Sequence, residues 1–284
     1  MKVRRALITA ASPGQHTLPL QQLVDRQGAA KTALQLIVEE VVQAGVEEIG
    51  VVIQPGDEEE YRRAAGSAVD RLIFFEQPAP LGYGHALLQA KDFVDRVPFL
   101  HLVGDHVYLS KSARCCAQQL IDEANRHACS VSAVQATRET KLPYFGAIGG
   151  QLVTGRTDLY EVDKVLEKPT PTQAEQELII AGLRAGYYLC FFGMHVLTPA
   201  VMAILDELIH AAGETRLQLS AALAVLSQRE RYLALAVQGT RFNVGMQYGL
   251  LMAQLALALS GPDRDLILTE LVELLATGSV SPSR

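Results

Sequence analysis

Short apolar runs and segments of helical spacing alternate along residues 1–140. Residues 6–10, 48–54 (EIGVVIQ), 72–75, 99–103 and 131–136 are apolar and β-compatible, and read as strands. Between them, residues 32–44 put Ala33, Leu36, Ile37, Val41 and Ala44 at helical spacing and stop at Gly45, a C-cap signal. Asp57 with Glu60 three residues on predicts a capping-box start for a short acidic helix. Residues 84–94 and 113–127 read as further helices. A β-α-β-α order with short connections predicts a parallel sheet covered on both faces by helices. Such sheets bind ligands at the carboxyl ends of their strands, so the loops after Ala10, Gln77 and Val103 are the places to look.

Beyond about residue 140 the pattern changes. Residues 144–153 read as a glycine-broken hairpin, residues 160–166 and 186–192 as strands, and residues 199–211 and 217–229 as helices. A strand at 232–237 and a segment at 245–259 follow. The last helix, 263–276, is amphipathic through Leu266, Ile267, Leu271, Leu274 and Leu275, and could pack on its own domain or on a second subunit. The expected fold is α/β: a Rossmann-like, mixed but mostly parallel sheet with helices on both faces. One domain is expected over residues 1–260, in halves of about 1–140 and 141–260, with residues 261–284 as a helical extension.

Composition narrows the classes. Hydrophobic residues are 49% of the 284 and charged residues 20%, which excludes a disordered chain. A net charge of −6 argues against a nucleic-acid-coated surface but permits a local basic pocket for a phosphate. The four cysteines form no CxxC pair, which fits a reduced cytoplasm and argues against structural zinc. The basic-then-apolar start is interrupted by Ser12-Pro13-Gly14 and reads as a strand feeding a loop rather than a signal peptide. The apolar stretch 244–259 carries Gln247 and Gln254 and is too short to span a membrane.

Four segments have the chemistry of a site. The loop from Ala11 through Ser12 and Gly14 to His16 follows the first strand and can offer backbone N–H groups to a phosphate, or be an ordinary turn. Gln77 ends a strand before Gly82 and Gly84; its amide can pair with a base edge, and glycines let a flat ring approach. Asp105, just past a buried strand, suits Mg²⁺, or could cap a turn. Glu167-Lys168-Pro169 closes another strand; the acid can accept from sugar hydroxyls and the lysine can bind phosphate, or the two can form a surface ion pair.

In this order the four segments resemble the sugar-1-phosphate nucleotidyltransferases, and most closely the bacterial UTP–glucose-1-phosphate uridylyltransferases. The resemblance spans about residues 3–260. It is supported by Leu23-Val24-Asp25, Gly82-Tyr83-Gly84-His85-Ala86, Tyr144-Phe145-Gly146, Ala185-Gly186-Tyr187-Tyr188, and Leu217-Gln218-Leu219 ahead of Asn243-Val244-Gly245. It implies that UTP and glucose 1-phosphate give UDP-glucose and pyrophosphate, with Mg²⁺ and no membrane or nucleic-acid partner; a homo-oligomer is compatible with it. It also implies that 1–140 is the nucleotide-binding half and 141–260 the sugar-binding half. Ala11, Ser12, Gly14, Gln77 and Gly82 then match nucleotide-binding positions, and Gly146, Glu167 and Gly186 sugar-pocket positions. Lys168 matches the lysine on the sugar phosphate, and Asp105 and Asn243 the two metal positions.

The chain departs from the family pattern where the triphosphate is activated. The family's G-x-G-T-R loop is Ser12-Pro13-Gly14-Gln15-His16, so His16 replaces its arginine. The lysine-bearing segment after Leu-Pro is missing, which leaves Lys31 or Arg26, beside an apparent insertion at 27–30, as substitutes. Asn243 replaces the second metal aspartate. Two function classes follow: an active uridylyltransferase with relocated cations, with Lys168, His16 and Lys31 catalytic, or a catalytically impaired homologue that binds nucleotide sugar as a sensor or regulatory subunit; a third option is a different transferase that makes a related nucleotide sugar from another nucleotide or sugar.

Overall fold

The structure is a computed structural model and describes residues 1–94, 96–212 and 216–277. From the N-terminus, β1 (Arg5–Thr9) leads to a small hairpin of β2 (Gln22–Val24) and β3 (Ala30–Thr32), then α1 (Ala33–Gln43) and β4 (Glu48–Ile53). Next come α2 (Glu58–Ala65), β5 (Leu72–Glu76), α3 (Tyr83–Leu88), β6 (Phe99–Val103), β7 (His106–Ser110), α4 (Cys116–His127) and β8 (Ser130–Arg138). The second half contains β9 (Ala147–Leu152), β10 (Leu159–Leu166), α5 (Pro171–Glu177), β11 (Tyr187–Leu197), α6 (Pro199–Ala212) and α7 (Leu219–Arg229). It ends with β12 (Tyr232–Ala236), β13 (Gly239–Asn243), α8 (Gly249–Ala258) and α9 (Arg264–Thr277).

Nine strands form one sheet in the order β5-β4-β1-β6-β11-β8-β12-β10-β9. The four strands from β5 to β6 are parallel, as the alternation of strands and helices predicts. β11 then enters antiparallel between β6 and β8, which makes the whole sheet mixed. Strand side chains alternate between faces, and the burial follows that period of two. Ala6 and Ile8 join the core under α1, α2 and α4, while Leu7 joins the core under α3, α6 and α7.

Local signals set the helix starts. The Thr32 hydroxyl accepts from Gln35 N at 3.1 Å and Gln35 Oε1 accepts from Thr32 N at 2.8 Å, a reciprocal cap for α1. The expected box at Asp57 is absent: the Asp57 side chain makes no cap bond, because its carboxylate is taken by His16 Nδ1 at 2.7 Å. The expected hairpin at 144–153 is also different. Residues 139–144 form a 3-10 turn, and β9 is a single strand paired with β10. Its glycines serve close approach rather than turning, since a Cβ on Gly149 would lie 2.9 Å from Glu177 O.

Five elements go beyond the sequence reading: β2, β3, α5, and β7 and β13, which pair as a ribbon. α3 stops at Leu88, short of the expected 94. The helix expected at 263–276 forms as α9, with none of its residues fully buried and Ile267, Leu268 and Leu271 half-buried. Residues 278–284 of the expected extension lie outside the described residues. Among the described residues, no helix is long and apolar enough to cross a membrane.

Candidate active site

A cleft of about 520 Å³ opens at the carboxyl ends of β1 and β6 and beside the end of β5. The three loops singled out in the sequence, after Ala10, Gln77 and Val103, all line it. Of the expected site residues, Ala11, Ser12, Gln77, Gly82, Asp105, Gly146, Glu167, Lys168 and Asn243 share this one cleft. Gly14, His16, Lys31 and Gly186 do not line it.

Gln77 and Gly82, the residues expected to meet the nucleoside, form one end of the cleft. Gly82 has φ +103°, and its missing Cβ lets the Leu217 backbone dock: Leu217 N donates to Leu81 O at 2.7 Å and Gly84 N to Leu217 O at 2.9 Å. The buried Gln77 amide is partly committed, its Nε2 lying 3.1 Å from Gly82 O and 2.9 Å from His85 Nδ1. Its carbonyl oxygen is the side-chain polar atom without a partner among the described residues, which suits it to accept rather than to pair as donor and acceptor at once.

Asp105 lies between β6 and β7 and lines the cleft. Burial raises its carboxyl pKa, but His106, with Nδ1 at 2.7 Å, and the neighbouring Asn243 side chain outweigh that and hold it below the usual range. Asn243 reaches Asp105 because β13 pairs with β7, placing Asn243 opposite His106. Asn243 Oδ1 accepts from Gly245 N at 2.8 Å, so the oxygen expected to ligate a metal is already used in a turn. Among the described residues, no three His, Cys, Asp or Glu side chains cluster as a metal-binding group. The donor set fits Mg²⁺ only as one carboxylate, Asp105, completed by substrate phosphates and water.

Of the residues expected at the sugar, Gly146 and Glu167 line the cleft and Gly186 does not. Gly186 was the expected glycine, but it sits at the start of β11, its carbonyl accepting from Glu139 N at 3.0 Å. The glycine in the cleft is Gly193, with φ +81°, where a Cβ would meet Val103 Cγ2 at 2.6 Å. It lies in the irregular stretch of β11 between Phe191 and His195, where the register against β8 shifts. Gly146 has a similar need: a Cβ there would lie 2.8 Å from Phe191 Cδ2 and 3.0 Å from Glu167 Oε2. Lys168 enters the cleft from a left-handed backbone, φ +46°.

The expected substitute cations are engaged elsewhere. Lys31 Nζ lies 2.8 Å from Asp25 Oδ2 and 2.6 Å from Glu39 Oε1. Burial lowers its ammonium pKa, but the two carboxylates outweigh that and leave it raised. The insertion at 27–30 caps the β2–β3 hairpin, with Asp25 Oδ1 accepting from Gln27 N and Ala29 N, so it carries Lys31 to this pair rather than to the cleft. His16 is tethered through Nδ1 to Asp57, and its carbonyl accepts from Tyr61 OH at 2.5 Å. The basic side chains lining the cleft are Lys168, Arg216 and the imidazoles His106 and His195. Arg216 was missed, although it directly precedes Leu217-Gln218-Leu219, one of the segments that carry the resemblance.

One cation lies behind the wall. Arg241 is 7% exposed and sits 4.0 Å over the Phe145 ring, with Nη2 3.3 Å from Thr137 Oγ1. Its Nε and Nη1 have no hydrogen-bond partner among the described residues, and burial pulls the guanidinium down to about 10. The cation–ring contact braces Phe145, which lines the cleft.

Comparison with known proteins places this geometry. The nucleotidyl transferase family model matches residues 19–253. The UTP–glucose-1-phosphate uridylyltransferase of Streptococcus pneumoniae is 30% identical over 288 residues, covering 92% of each chain. A Streptococcus pyogenes serotype M3 protein of the same name is 30% identical over 290 residues, covering 92% of this chain and 90% of the other. Among solved structures, a UDP-glucose pyrophosphorylase in complex with UDP-glucose aligns with TM-score 0.72 and 21% identity, covering 90% of this chain and 98% of that one. The Acinetobacter baumannii UDP-glucose pyrophosphorylase aligns with TM-score 0.73 and 22% identity, covering 96% and 100%. With its cleft, its sheet and these matches, the chain belongs to the nucleotidyl transferase family.

Proposed function

We propose that the protein joins UTP and glucose 1-phosphate, or a closely related sugar phosphate, to make the nucleotide sugar and pyrophosphate. The observation that carries this reading is the meeting of Gln77, Asp105, Glu167 and Lys168, from four separate segments, in one cleft. Residues 1–140 serve as the nucleotide half, 141–260 as the sugar half and 261–284 as an extension. A sugar-phosphate oxygen attacks the α-phosphorus; that P–O bond forms as the bond to the β-phosphate oxygen breaks, and pyrophosphate leaves with its electron pair. Catalysis of this kind is mostly positioning and charge stabilisation.

In this reading Ala11 and Ser12 bound the base and Gln77 accepts from it through its carbonyl oxygen. Glu167 and Gly146 hold the sugar, and Lys168 holds its phosphate at the distance for attack. Arg216 supplies the permanent charge for the triphosphate that Lys31 does not. Bound with the nucleotide, Mg²⁺ would be held by Asp105 and would neutralise phosphate charge. A cytoplasmic setting goes with these substrates. A homo-oligomer belongs to the same reading, because α9 leaves Leu266, Val272, Leu274 and Leu275 exposed.

A second reading is favoured by the commitment of Lys31 to Asp25 and Glu39 and of the Asn243 oxygen to Gly245: a homologue that binds nucleotide sugar without fast turnover. Pyrophosphate release, measured across a panel of nucleoside triphosphates and sugar 1-phosphates, separates the two. Turnover greatest with UTP and glucose 1-phosphate supports the enzyme. Absence of release from every pair, with UDP-glucose still bound, selects the binding protein.

A further inference from the structure

His195 is 2% exposed, yet it lines the cleft. It stands on β11 directly across from His101 on β6, and the two rings stack with centroids 5.7 Å apart. Its Nδ1 lies 2.6 Å from Ser132 Oγ, and Ser132 Oγ is also bonded to Tyr232 OH. Its Nε2 has no partner among the described residues and is not fully enclosed, so it keeps access to the cleft.

Counting protons along this chain fixes the tautomer. Tyr232 is 1% exposed and its hydroxyl has Ser132 Oγ as its partner. If Nδ1 carried the proton, it would donate to Ser132, and either the Tyr232 proton, with Ser132 donating to Tyr232, or the Ser132 proton, with Ser132 accepting from both, would be buried with no acceptor. In the opposite direction Tyr232 donates to Ser132 and Ser132 donates to Nδ1, and every group is satisfied. The proton of the neutral ring is then on Nε2. Burial reinforces the neutral form, holding the imidazolium pKa down to about 3.

We infer that His195 is a specificity-determining residue whose Nε2–H donates to an oxygen of the bound sugar. The sugar is assigned, rather than the base, by continuity of the wall. The Phe191 ring is 5.1 Å from the His195 ring and also closes on Gly146, beside Glu167. A neutral donor suits a hydroxyl oxygen and adds no charge to compete with Lys168 for phosphate. Serine and tyrosine together orient the ring, so the donor is set before the ligand arrives.

This inference rests on the proposed function, and the experiment separates the two. Calorimetry with UDP, UDP-glucose and glucose 1-phosphate is run on wild-type protein and on His195→Phe, which retains a ring but removes the donor. The expected result is about a ten-fold loss for UDP-glucose, the size of one good hydrogen bond, with UDP within about two-fold of wild type. Equal losses for UDP and UDP-glucose, or none for either, overturn the contact while leaving the proposed function intact. Wild-type protein that binds none of the three overturns the function and the contact with it. Should His195→Phe fail to fold, ¹⁵N-histidine spectra of wild-type protein decide the tautomer: an Nε2–H signal that becomes mixed in Ser132→Ala supports the inference, and an Nδ1–H signal in wild type overturns it.

Discussion

The side-chain oxygen of Asn243 accepts the backbone N–H of Gly245 at 2.8 Å, with the Asn243 side chain standing beside Asp105. A second aspartate at this position would put two carboxylates together at the junction of the cleft. Without a cation, Asn243→Asp is expected to lower stability by about 1–3 kcal/mol, the scale for a partly buried charge without a partner. Mg²⁺ then has two carboxylates to bridge and should restore that loss, whereas wild-type protein without nucleotide should respond little. Thermal unfolding with and without Mg²⁺ is the measurement. Equal Mg²⁺ responses in the two proteins would show that Asn243 already serves as a ligand.

Lys31→Met tests whether the relocated cation is structural. Its two carboxylate partners lie outside the cleft wall, so turnover should stay near wild type while stability falls by about 1–3 kcal/mol. The pH dependence has a definite sign. Burial pushes the Asp25 carboxyl up, but Lys31 and two backbone N–H groups outweigh it and hold the folded-state pKa below 3.8. A depressed carboxyl contributes stability that is present above its unfolded pKa and lost as pH falls through the folded value. The stability gap between wild type and Lys31→Met should therefore be full at neutral pH and shrink below about pH 4. A variant that loses turnover at unchanged stability would return Lys31 to the active site.

The sequence shows the parallel half of the sheet clearly, because β1, β4, β5 and β6 are short apolar runs between helical periods. α5 was also legible in principle: Thr170, Pro171 and Gln173 are a capping signature, and the structure uses all three. Other features depend on contacts that no local pattern records. The β7–β13 ribbon joins segments far apart in the chain, and Lys31 meets Glu39 only because a hairpin precedes α1. Gly186, the glycine expected in the sugar pocket, lies outside the cleft, whereas Gly193 lines it from the stretch where the register of β11 against β8 shifts, a feature no local pattern records.

Arg216 is the missed residue with the most direct consequence. It is exposed at the cleft rim, where the Leu217 backbone is fastened to Leu81 and Gly84. A guanidinium there can fork onto phosphate oxygens in a way an ammonium cannot. Arg216→Ala should reduce kcat/KM for UTP by about ten-fold and weaken the salt dependence of UTP binding. Arg26→Ala, outside the cleft wall, should change neither. Loss in Arg26→Ala with none in Arg216→Ala would reverse the assignment of the cation.

Lys168 separates backbone conformation from charge. A left-handed φ of +46° is unfavourable for lysine, and asparagine tolerates it better. Its exposed ammonium lines the cleft next to Glu167, so its contribution lies in the ligand rather than in the core. Lys168→Asn should then hold or raise stability by a few tenths of a kcal/mol up to about 1 kcal/mol, through relief of the αL penalty. Glucose 1-phosphate binding should fall by about ten-fold or more, because the charge on the phosphate is lost, while UTP binding changes less. Unfolding midpoints and titration calorimetry on the same preparations give both quantities. A variant that loses stability and both ligands together would mean that Lys168 holds the end of β10 rather than the sugar phosphate.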